Sequence, residues 1–349
     1  LNRKRKIGID AKWLYQGPVS GKVVLESYLK YLSSFMNDQL QIYLILDRRD
    51  NFSEEKYKSL KFKFIYVWGK INLISNILLT FPLRKYQLDI VLYFNFGPFF
   101  SKIRYMLFLH DVLFDDFPEY FSFKERLYFK FIKPSSRKAK RIITISESEK
   151  ERLVKHNYKK ADKIDVIYNG VDVERFKESL KNDIVKLRQD FNITSDYLIY
   201  YGRLNDRKNI HSLVKATKEI FKEQNVLLVI VGAEDSLFTQ SIKNQPHIRL
   251  TGFIDDSDLA ILLRNSLAFC YVSFAEGFGL PPLEAMSIGV PTVVSNTTSL
   301  PEICGNASIY VDPYNVEGIA KGVNDILDPA QRKECISLGY KNAQRFSWN

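Results

Sequence analysis

The chain alternates short apolar runs with longer stretches in which apolar residues recur every three or four positions. The short runs predict buried strands, and the longer stretches predict helices. Because runs and helical stretches follow one another through most of the chain, the strands are expected to be parallel and covered by helices. The predicted strands are Ile7–Asp10, Gln41–Leu46, Phe62–Val67, Ile90–Phe94, Tyr105–Leu109, Arg141–Ile145, Ile164–Ile167, Tyr197–Tyr201, Val226–Val231, Ile248–Leu250, Leu267–Val272, Thr292–Val294 and Ser308–Val311.

The length of the chain divides this pattern into two domains. Its 349 residues exceed the size at which one core stops growing, about 250 to 300 residues. The prediction is an α/β protein with two Rossmann-like, doubly wound parallel-sheet domains, over residues 1–170 and 171–349. The junction is placed near Asn169, and the last segment is expected to return toward the first domain.

The segment from Glu276 to Glu284 combines two acids, two glycines and a predicted helix start. Gly277 and Gly279 allow a sharp turn that brings backbone N–H groups close to a ligand at the positive end of the helix. Helical side chains lean toward the N-terminus, so the carboxylate of Glu284 is expected to point back toward Glu276. Both acids would then face one pocket for an oxygen-rich ligand.

A basic loop with Arg203, Arg207 and Lys208 follows the predicted strand Tyr197–Tyr201. A helix follows the loop, with Asn209 as its predicted N-cap. This order places the cations at the carboxyl edge of a parallel sheet, where ligands bind in open α/β folds. The loop taken alone is equally compatible with a solvated cationic turn, but the acidic segment downstream favours a binding site.

These segments resemble the glycosyltransferases of family 4, retaining enzymes with the two-domain architecture called GT-B. Within that family, the chain resembles the bacterial O-antigen and capsule mannosyltransferases. The resemblance covers nearly the whole chain, in the stretches IGIDAKWL, GPVSG, LHDVLFDDFPE, ITISESEKERL, VIYNGVDVERF, YGRLNDRKN, TGFIDDSDL, EGFGLPPLEAM and SLPEICGNASIYVDP.

The resemblance implies two catalytic residues. Glu276 would lie beside the donor sugar, where a carboxylate favours positive charge at the anomeric carbon. His110, after the strand Tyr105–Leu109, would reach the sugar from the first domain across a cleft. A lone histidine after an apolar strand is also compatible with a satisfied core residue, but its position in His-Asp at a strand end favours function.

The resemblance also implies the residues that bind a nucleotide-sugar donor. Arg203 and Lys208 would hold the diphosphate, and the hydroxyls of the ribose would bind Glu284. The remaining implied positions are Gly279 and Leu280 at the diphosphate, Gly21, Gly277 and Phe278 in the loops at the sugar and phosphates, and Phe253 and Ile254 at the base. Gly21 and Gly17 are expected in a loop after the opening strand.

The activity that the resemblance implies is retaining transfer of a hexose from a nucleotide-sugar, with GDP-mannose as first choice and UDP-sugars as second. The implied acceptor is a lipid-linked glycan in synthesis of lipopolysaccharide or capsule. No cofactor and no metal are expected: Asp256-Ser-Asp258 spells a D-x-D metal motif, but it precedes an apolar helix and is predicted to supply its N-cap and first-turn charge. A non-catalytic sugar-nucleotide-binding member and a nucleotide-sugar epimerase of the same fold are the alternatives.

Positive charge is concentrated in the first half of the chain. Residues 1–150 contain 27 Lys and Arg against 15 Asp and Glu, whereas residues 151–349 contain 24 against 25. The densest segment, Lys124–Arg141, interleaves eight cations with aromatic residues and holds one acid. Such a segment can attract an anionic membrane surface, although a basic helix is also compatible with a solvated face. A nucleic-acid-binding protein is a more remote alternative, which no recognition motif supports.

Cysteine spacing and hydropathy predict the compartment. Three cysteines without metal-like spacing indicate reduced thiols. The sequence has no apolar run of the roughly 18 residues that a membrane span requires. The protein is therefore expected in the cytoplasm, at the cytoplasmic face of a membrane.

Overall fold

The computed structural model describes residues 4–17, 19–37, 39–50, 57, 60–68, 83–99, 102–172, 176, 184–232 and 237–348. The chain divides into two compact units. Unit 1 comprises Leu1–Tyr168 together with Trp348–Asn349, and unit 2 comprises Asn169–Ser347. Each unit is built around its own sheet.

Unit 1 contains a sheet of seven described strands in the order β3-β2-β1-β4-β5-β6-β7, with every neighbouring pair parallel. The strands are β1 (Arg5–Asp10), β2 (Leu40–Asp47), β3 (Lys63–Val67), β4 (Ile90–Phe94), β5 (Tyr105–Phe108), β6 (Ile142–Thr144) and β7 (Ile164–Val166). The described α-helices are α1 (Trp13–Gln16), α2 (Val19–Leu32), α3 (Leu113–Asp116), α4 (Phe123–Phe129), α5 (Ile132–Lys138) and α6 (Glu147–Lys155).

Unit 2 contains a second parallel sheet, whose six described strands have the order β10-β9-β8-β11-β12-β13. The strands are β8 (Tyr197–Tyr201), β9 (Leu227–Val231), β10 (Ile248–Gly252), β11 (Ala268–Tyr271), β12 (Thr292–Ser295) and β13 (Ser308–Val311). The described α-helices are α7 (Ile184–Asp190), α8 (Ile210–Gln224), α9 (Leu237–Ile242), α10 (Asp256–Arg264), α11 (Leu280–Ser287), α12 (Leu300–Cys304), α13 (Val316–Leu327) and α14 (Pro329–Ala343).

The burial of the strands follows their position in the sheet. Every residue of the interior strands β8, β9 and β11 is buried, whereas the edge strands β10 and β13 are mostly half-buried. Helices cover both faces of a parallel sheet, so interior strands are apolar along their whole length. This is why short apolar runs predicted all thirteen of the described strands, each within two residues of its observed ends.

The described segment after α14 ends in unit 1. The ring of Trp348 lies 6.3 Å from the ring of Tyr31 in a stacked arrangement, and 5.1 Å from the ring of Tyr28 in an edge-on arrangement. Phe346, two residues earlier, accepts a backbone hydrogen bond from Val171 at 2.9 Å within unit 2.

One local prediction was wrong, and a second is confirmed for the position of the residue, because Asn209 is the N-cap of α8, but not for its side chain. Gly21 lies in helix α2, not in a loop, because the apolar spacing of this helix extends back across this glycine. Asn209 precedes α8 in the left-handed conformation, with φ of 56°, and its side chain does not cap the helix. Its amide instead donates to the carbonyl oxygens of Val272 at 3.0 Å and Pro313 at 2.7 Å, so it links two loops of unit 2.

Candidate active site

The candidate site of unit 2 lies where the strand order of its sheet reverses. Strands β8 and β11 are neighbours at this point, with β9 and β10 on one side and β12 and β13 on the other. A crevice forms outside the carboxyl ends of two such strands, because their following connections leave in opposite directions. The loop after β8 carries Arg203, Arg207 and Lys208, and the loop after β11 carries Glu276.

Glu276 forms ion pairs with two cations of the loop after β8. Its Oε1 lies 2.6 Å from Nζ of Lys208, and its Oε2 lies 3.0 Å from Nη1 of Arg207. Lys208 also donates a hydrogen bond to the hydroxyl of Tyr271, and Arg207 to the carbonyl oxygen of Ala275. The ammonium of Lys208 lies 4.7 Å from the centroid of the Tyr271 ring. The two loops are therefore joined by charge at the sheet edge.

Burial and charge act in opposite directions on these groups. Burial alone would raise the pKa of Glu276, but the charges of Arg207 and Lys208 outweigh it and lower this pKa to about 2. Burial also lowers the pKa of Lys208 to about 8, although Glu276 opposes the shift. At neutral pH all three groups are charged, so two cations accompany one carboxylate and the cluster keeps a net positive charge.

Hydroxyl groups of the loop before α12 hold the backbone around Glu276. The hydroxyl of Thr298 accepts a hydrogen bond from the Glu276 N–H at 2.9 Å. The hydroxyl of Ser299 lies within hydrogen-bonding distance of two carbonyl oxygens, 2.9 Å from that of Glu276 and 2.8 Å from that of Phe278. Thr298 itself has φ of +53°, an uncommon conformation for a β-branched residue.

The start of α11 is shaped by glycine and proline. Gly279 occupies the N-cap position with φ of +112°, and proline follows in the first turn. A Cβ at Gly279 would lie 2.7 Å from Cδ2 of Leu300, so there is no space for a side chain. The helix begins directly after this glycine, at Leu280, with its positive end at the loop of Glu276. The predicted helix start is confirmed.

Phe278 has a structural position. Its side chain is buried, and its ring lies 5.8 Å from the ring of Phe346 in an edge-on arrangement. The ring packs inside unit 2, so only its backbone remains for the implied role at the sugar and phosphates. Gly277 is buried beside it.

Glu284 lies on α11 at the same edge of the sheet. Its Oε2 accepts a hydrogen bond from the hydroxyl of Tyr201, the last residue of β8. The same hydroxyl lies 3.3 Å from the carbonyl oxygen of Pro281. Glu284 thus contacts Tyr201 at the end of β8, whereas Glu276 lies beside Tyr271 at the end of β11. The two acids therefore have different partners.

Three of the predicted donor-binding residues lie toward solvent. The side chain of Arg203 is exposed, and within the described part of the chain it forms no ion pair. Phe253 is 89% exposed, an unusual position for a large apolar ring that precedes a helix. Ile254 next to it is half-buried. These side chains are accessible to a ligand.

In unit 1, the strand order also reverses between β1 and β4, and aromatic rings gather there. The ring of His110 stacks on Trp13 at 5.1 Å and lies 4.8 Å from the ring of Phe108. Its Nε2 is buried and has no hydrogen-bond partner among the described residues. Burial lowers the pKa of His110 to about 4, so the ring is neutral at pH 7. The histidine is therefore not a satisfied core residue.

The chain offers little to a metal ion in the part that the structure describes. No group of three or more His, Cys, Asp or Glu residues there is arranged to hold one. The D-x-D sequence contributes Asp256 and Asp258 to the first turn of α10, and the N-cap is Asp255, one residue earlier than predicted. The carboxylate of Asp255 accepts the N–H of Asp258 at 2.9 Å.

Two side chains that contact the pair of Glu276 and Lys208 were not assigned a function from the sequence. Arg207 was placed at the sheet edge but given no partner, and Tyr271 was counted only as part of a strand. Arg207 contacts Glu276 across 69 residues of sequence, and Tyr271 contacts Lys208 across 63. The one available signal was the density of cations in the loop after β8.

Within the described residues, no helix is both long and apolar enough to cross a bilayer.

Two units, each built on a doubly wound parallel sheet whose strand order reverses once, define the GT-B class of fold. Solved structures agree: Anabaena HepE, solved in complex with UDP and glucose, matches with a TM-score of 0.71 and 19% identity, over 99% of this chain and 96% of that chain. The fold class predicted from the sequence is confirmed.

Sequence comparisons give the family. The family model described as Glycosyltransferase Family 4 matches residues 25–175, and the model described as Glycosyl transferases group 1 matches residues 183–342. The chain belongs to the family 4 glycosyltransferases.

Two relatives are mannosyltransferases by name. O-antigen chain mannosyltransferase B from Escherichia coli is 32% identical over 250 residues, which cover 68% of this chain and 65% of that protein. O-antigen chain mannosyltransferase RfbU from Salmonella typhimurium is 27% identical over 224 residues, which cover 62% of this chain and 59% of that protein. The matches thus span about three fifths of the length of these relatives.

Proposed function

We propose that the protein transfers a hexose, with mannose from GDP-mannose as first choice and UDP-sugars as second, to a glycan acceptor. The pairing of Glu276 with Arg207 and Lys208 at the strand-order reversal of unit 2 carries this proposal. The cluster joins a carboxylate to excess positive charge, which suits a sugar that bears a diphosphate. Family membership and the mannosyltransferase names of two relatives support the donor choice.

The cations have the position to stabilise a leaving nucleoside diphosphate. As the bond between the anomeric carbon and the phosphate oxygen breaks, negative charge grows on that oxygen. Arg203 is exposed and without an ion pair among the described residues, and Lys208 lies in a net positive cluster. Together with the N-terminus of α11 at Gly279, they supply preorganised positive charge. This arrangement supports a reaction that requires no metal ion and no cofactor.

Glu276 is proposed to stabilise positive charge on the sugar without bonding to it. Its two carboxylate oxygens already bind Lys208 and Arg207, and its pKa near 2 makes it a weak base and a weak nucleophile. The acceptor hydroxyl would attack the anomeric carbon from the side of the leaving group. Its proton would pass to the departing phosphate oxygen, and the anomeric configuration would be retained.

Further contacts of the donor are proposed from the remaining positions. Glu284 would accept hydrogen bonds from the ribose, with Tyr201 fixing its carboxylate, while Phe253 and Ile254 would border the base. His110 would bind a sugar hydroxyl, because its buried Nε2 has no partner among the described residues. Gly277, Leu280 and the backbone of Phe278 would line the phosphates and sugar, and Gly21 in α2 is proposed as a further glycine at the phosphates.

The acceptor and location are proposed from charge and family. The acceptor would be a lipid-linked glycan in synthesis of O-antigen, lipopolysaccharide or capsule, and the enzyme would act at the cytoplasmic face of a membrane. The excess of cations in residues 1–150 supports this location, because an anionic leaflet attracts basic surfaces. Nucleic acid is not a proposed partner.

The test separates catalysis from binding. Glu276→Gln is expected to lower the transfer rate by roughly a hundredfold or more, while the affinity for GDP-mannose or a UDP-sugar changes by less than about tenfold. Arg203→Ala is expected to weaken donor binding itself. Transfer is measured with radiolabelled donor, and binding is measured by calorimetry. The variants Glu317→Ala and Lys333→Ala are the matched controls, because both side chains are exposed. Full activity of Glu276→Gln would refute the site assignment, and binding without any transfer by the unaltered protein would favour a non-catalytic member.

A further inference from the structure

Helix α4 exposes large apolar side chains on one side and packs aromatic side chains on the other. Phe123 is 73% exposed, Leu127 is 52% exposed, and Phe131, just beyond the helix, is 40% exposed. The residues are spaced four positions apart, and each step of four advances about 40° around a helix of 3.6 residues per turn. They form one continuous apolar stripe, which we call the α4 stripe.

The opposite side of α4 fixes the helix to unit 1. The ring of Tyr128 lies 4.6 Å from that of Phe96, and the ring of Phe129 lies 4.8 Å from that of Phe114. Tyr128 and Phe129 pack against the core of this unit. The α4 stripe is therefore the outer side of an anchored helix, and folding of the unit does not bury it.

The start of α4 is set by a capping box. The N–H of Glu125 donates to the hydroxyl of Ser122 at 3.3 Å, and the carboxylate of Glu125 accepts the N–H of Ser122 at 2.8 Å. Such reciprocal bonds satisfy backbone groups at the first turn. The helix is thus formed before any partner binds, and the one acid between Lys124 and Arg141 is occupied at the cap.

Cations border the α4 stripe. Lys124, Arg126 and Lys130 are exposed, and no ion pair joins them to other described residues. On a helix of about 100° per residue, Lys124 lies near one edge of the stripe, and Arg126 and Lys130 lie near the other. An apolar stripe with cations at both edges has the chemistry of a helix that lies in the interface of an anionic bilayer.

We propose that the α4 stripe docks the protein on an anionic membrane surface, with Phe123, Leu127 and Phe131 entering the interface. Lys124, Arg126 and Lys130 contact lipid headgroups. The proposal rests on the membrane location proposed above and names the surface that produces it. An anionic bilayer fits both features, because its headgroups bind the cations and its interface takes up apolar side chains. A surface that binds only the phosphates of a nucleic acid would not require an exposed apolar stripe.

The test is co-sedimentation of the whole protein with vesicles, without donor or acceptor. Binding is expected to vesicles of phosphatidylcholine mixed with phosphatidylglycerol, to weaken at high salt, and to be at least about tenfold weaker for phosphatidylcholine alone. The double change Phe123→Ser and Leu127→Ser is expected to lower partitioning by on the order of tenfold. Phe35→Ser is the matched control, because Phe35 is an exposed phenylalanine of unit 1 outside the stripe, with 68% exposure.

A second pair of variants tests the charge. Lys124→Ala with Lys130→Ala is expected to weaken binding by roughly fivefold for each lysine removed. Lys215→Ala with Lys218→Ala removes the same charge from exposed positions of α8 in unit 2 and is expected to have little effect. Failure to bind anionic vesicles, equal loss in the control pair, or preferred binding of nucleic acid would overturn the proposal. Donor titration of the same variants without vesicles separates this result from failure of the catalytic proposal.

Discussion

At the scale of the residue, the environment of His110 determines its protonation. Its pKa of about 4 lies below the ordinary value near 6.5, because burial disfavours the charged ring. As pH falls, the unfolded chain takes up the proton first. The contribution of this residue to stability is therefore complete above about pH 6.5 and is lost between pH 6.5 and 4.

This pH dependence can be measured. Over that range the unaltered protein is expected to lose up to about 3 kcal/mol of unfolding free energy more than His110→Gln does. Urea unfolding at a series of pH values gives the comparison. His211→Gln serves as the control, because His211 is an exposed histidine at the start of α8. Parallel pH profiles for the unaltered protein and His110→Gln would show that the ring is not buried as described.

The residues that carry charge could be found from the sequence, whereas their pairing could not. The loop after β8 was identified from its three cations, and Glu276 from its glycine-rich surroundings. The choice of Arg207 as partner of Glu276 depends on the adjacency of β8 and β11, which places side chains 69 residues apart within 3.0 Å. Helical lean predicted that Glu284 points back toward Glu276, whereas the partner that the structure shows for its carboxylate is Tyr201, at the end of β8. This contact could not be predicted without the strand order.

At the scale of the element, the junction between β11 and α11 depends on Gly279. Its φ of +112° is strained for any residue with a side chain, and a Cβ would meet Leu300 at 2.7 Å. Gly279→Ala is therefore expected to cost roughly 1 to 3 kcal/mol of unfolding free energy. It is also expected to displace the start of α11 and weaken donor binding.

Thermal unfolding and donor titration of this variant provide the check. Gly339→Ala is the comparison, because Gly339 lies within α14 without a positive φ, and its Cβ would meet the flexible side chain of Met286 at 3.3 Å. This variant is expected to lose less stability than Gly279→Ala, because the Met286 side chain can shift and the helix prefers alanine to glycine. Equal stability of the two variants would contradict the structural role of Gly279.

Elements differ in how well their patterns predict them. Buried parallel strands are short and apolar throughout, so runs such as Val226–Val231 gave β9 to within one residue. Glycines near a helix start are less informative, because Gly21 is compatible with both a loop and the first turn of α2. Asparagine at a helix start does not by itself predict a side-chain cap, because the amide of Asn209 donates hydrogen bonds to two distant carbonyl groups instead.

At the scale of the whole molecule, the net positive charge and the Glu276 cluster lie in different units. The excess of cations belongs to residues 1–150, whereas the paired cations and acid of the candidate site belong to unit 2. The proposed membrane surface and the proposed donor site can therefore be altered separately. The choice of GDP-mannose comes from the family resemblance and not from side chains, because the residues proposed at the base, Phe253 and Ile254, carry no polar side-chain group that selects one base.

The most direct test of the central claim is calorimetric titration of the purified protein with GDP, UDP, GDP-mannose and UDP-glucose, with chelator present. The proposal predicts micromolar binding of one nucleotide and its sugar conjugate, with GDP first, and weaker binding by Arg203→Ala but not by Lys333→Ala. If the protein binds none of these ligands while circular dichroism shows it folded, the assignment of the Glu276 cluster as a nucleotide-sugar site is contradicted.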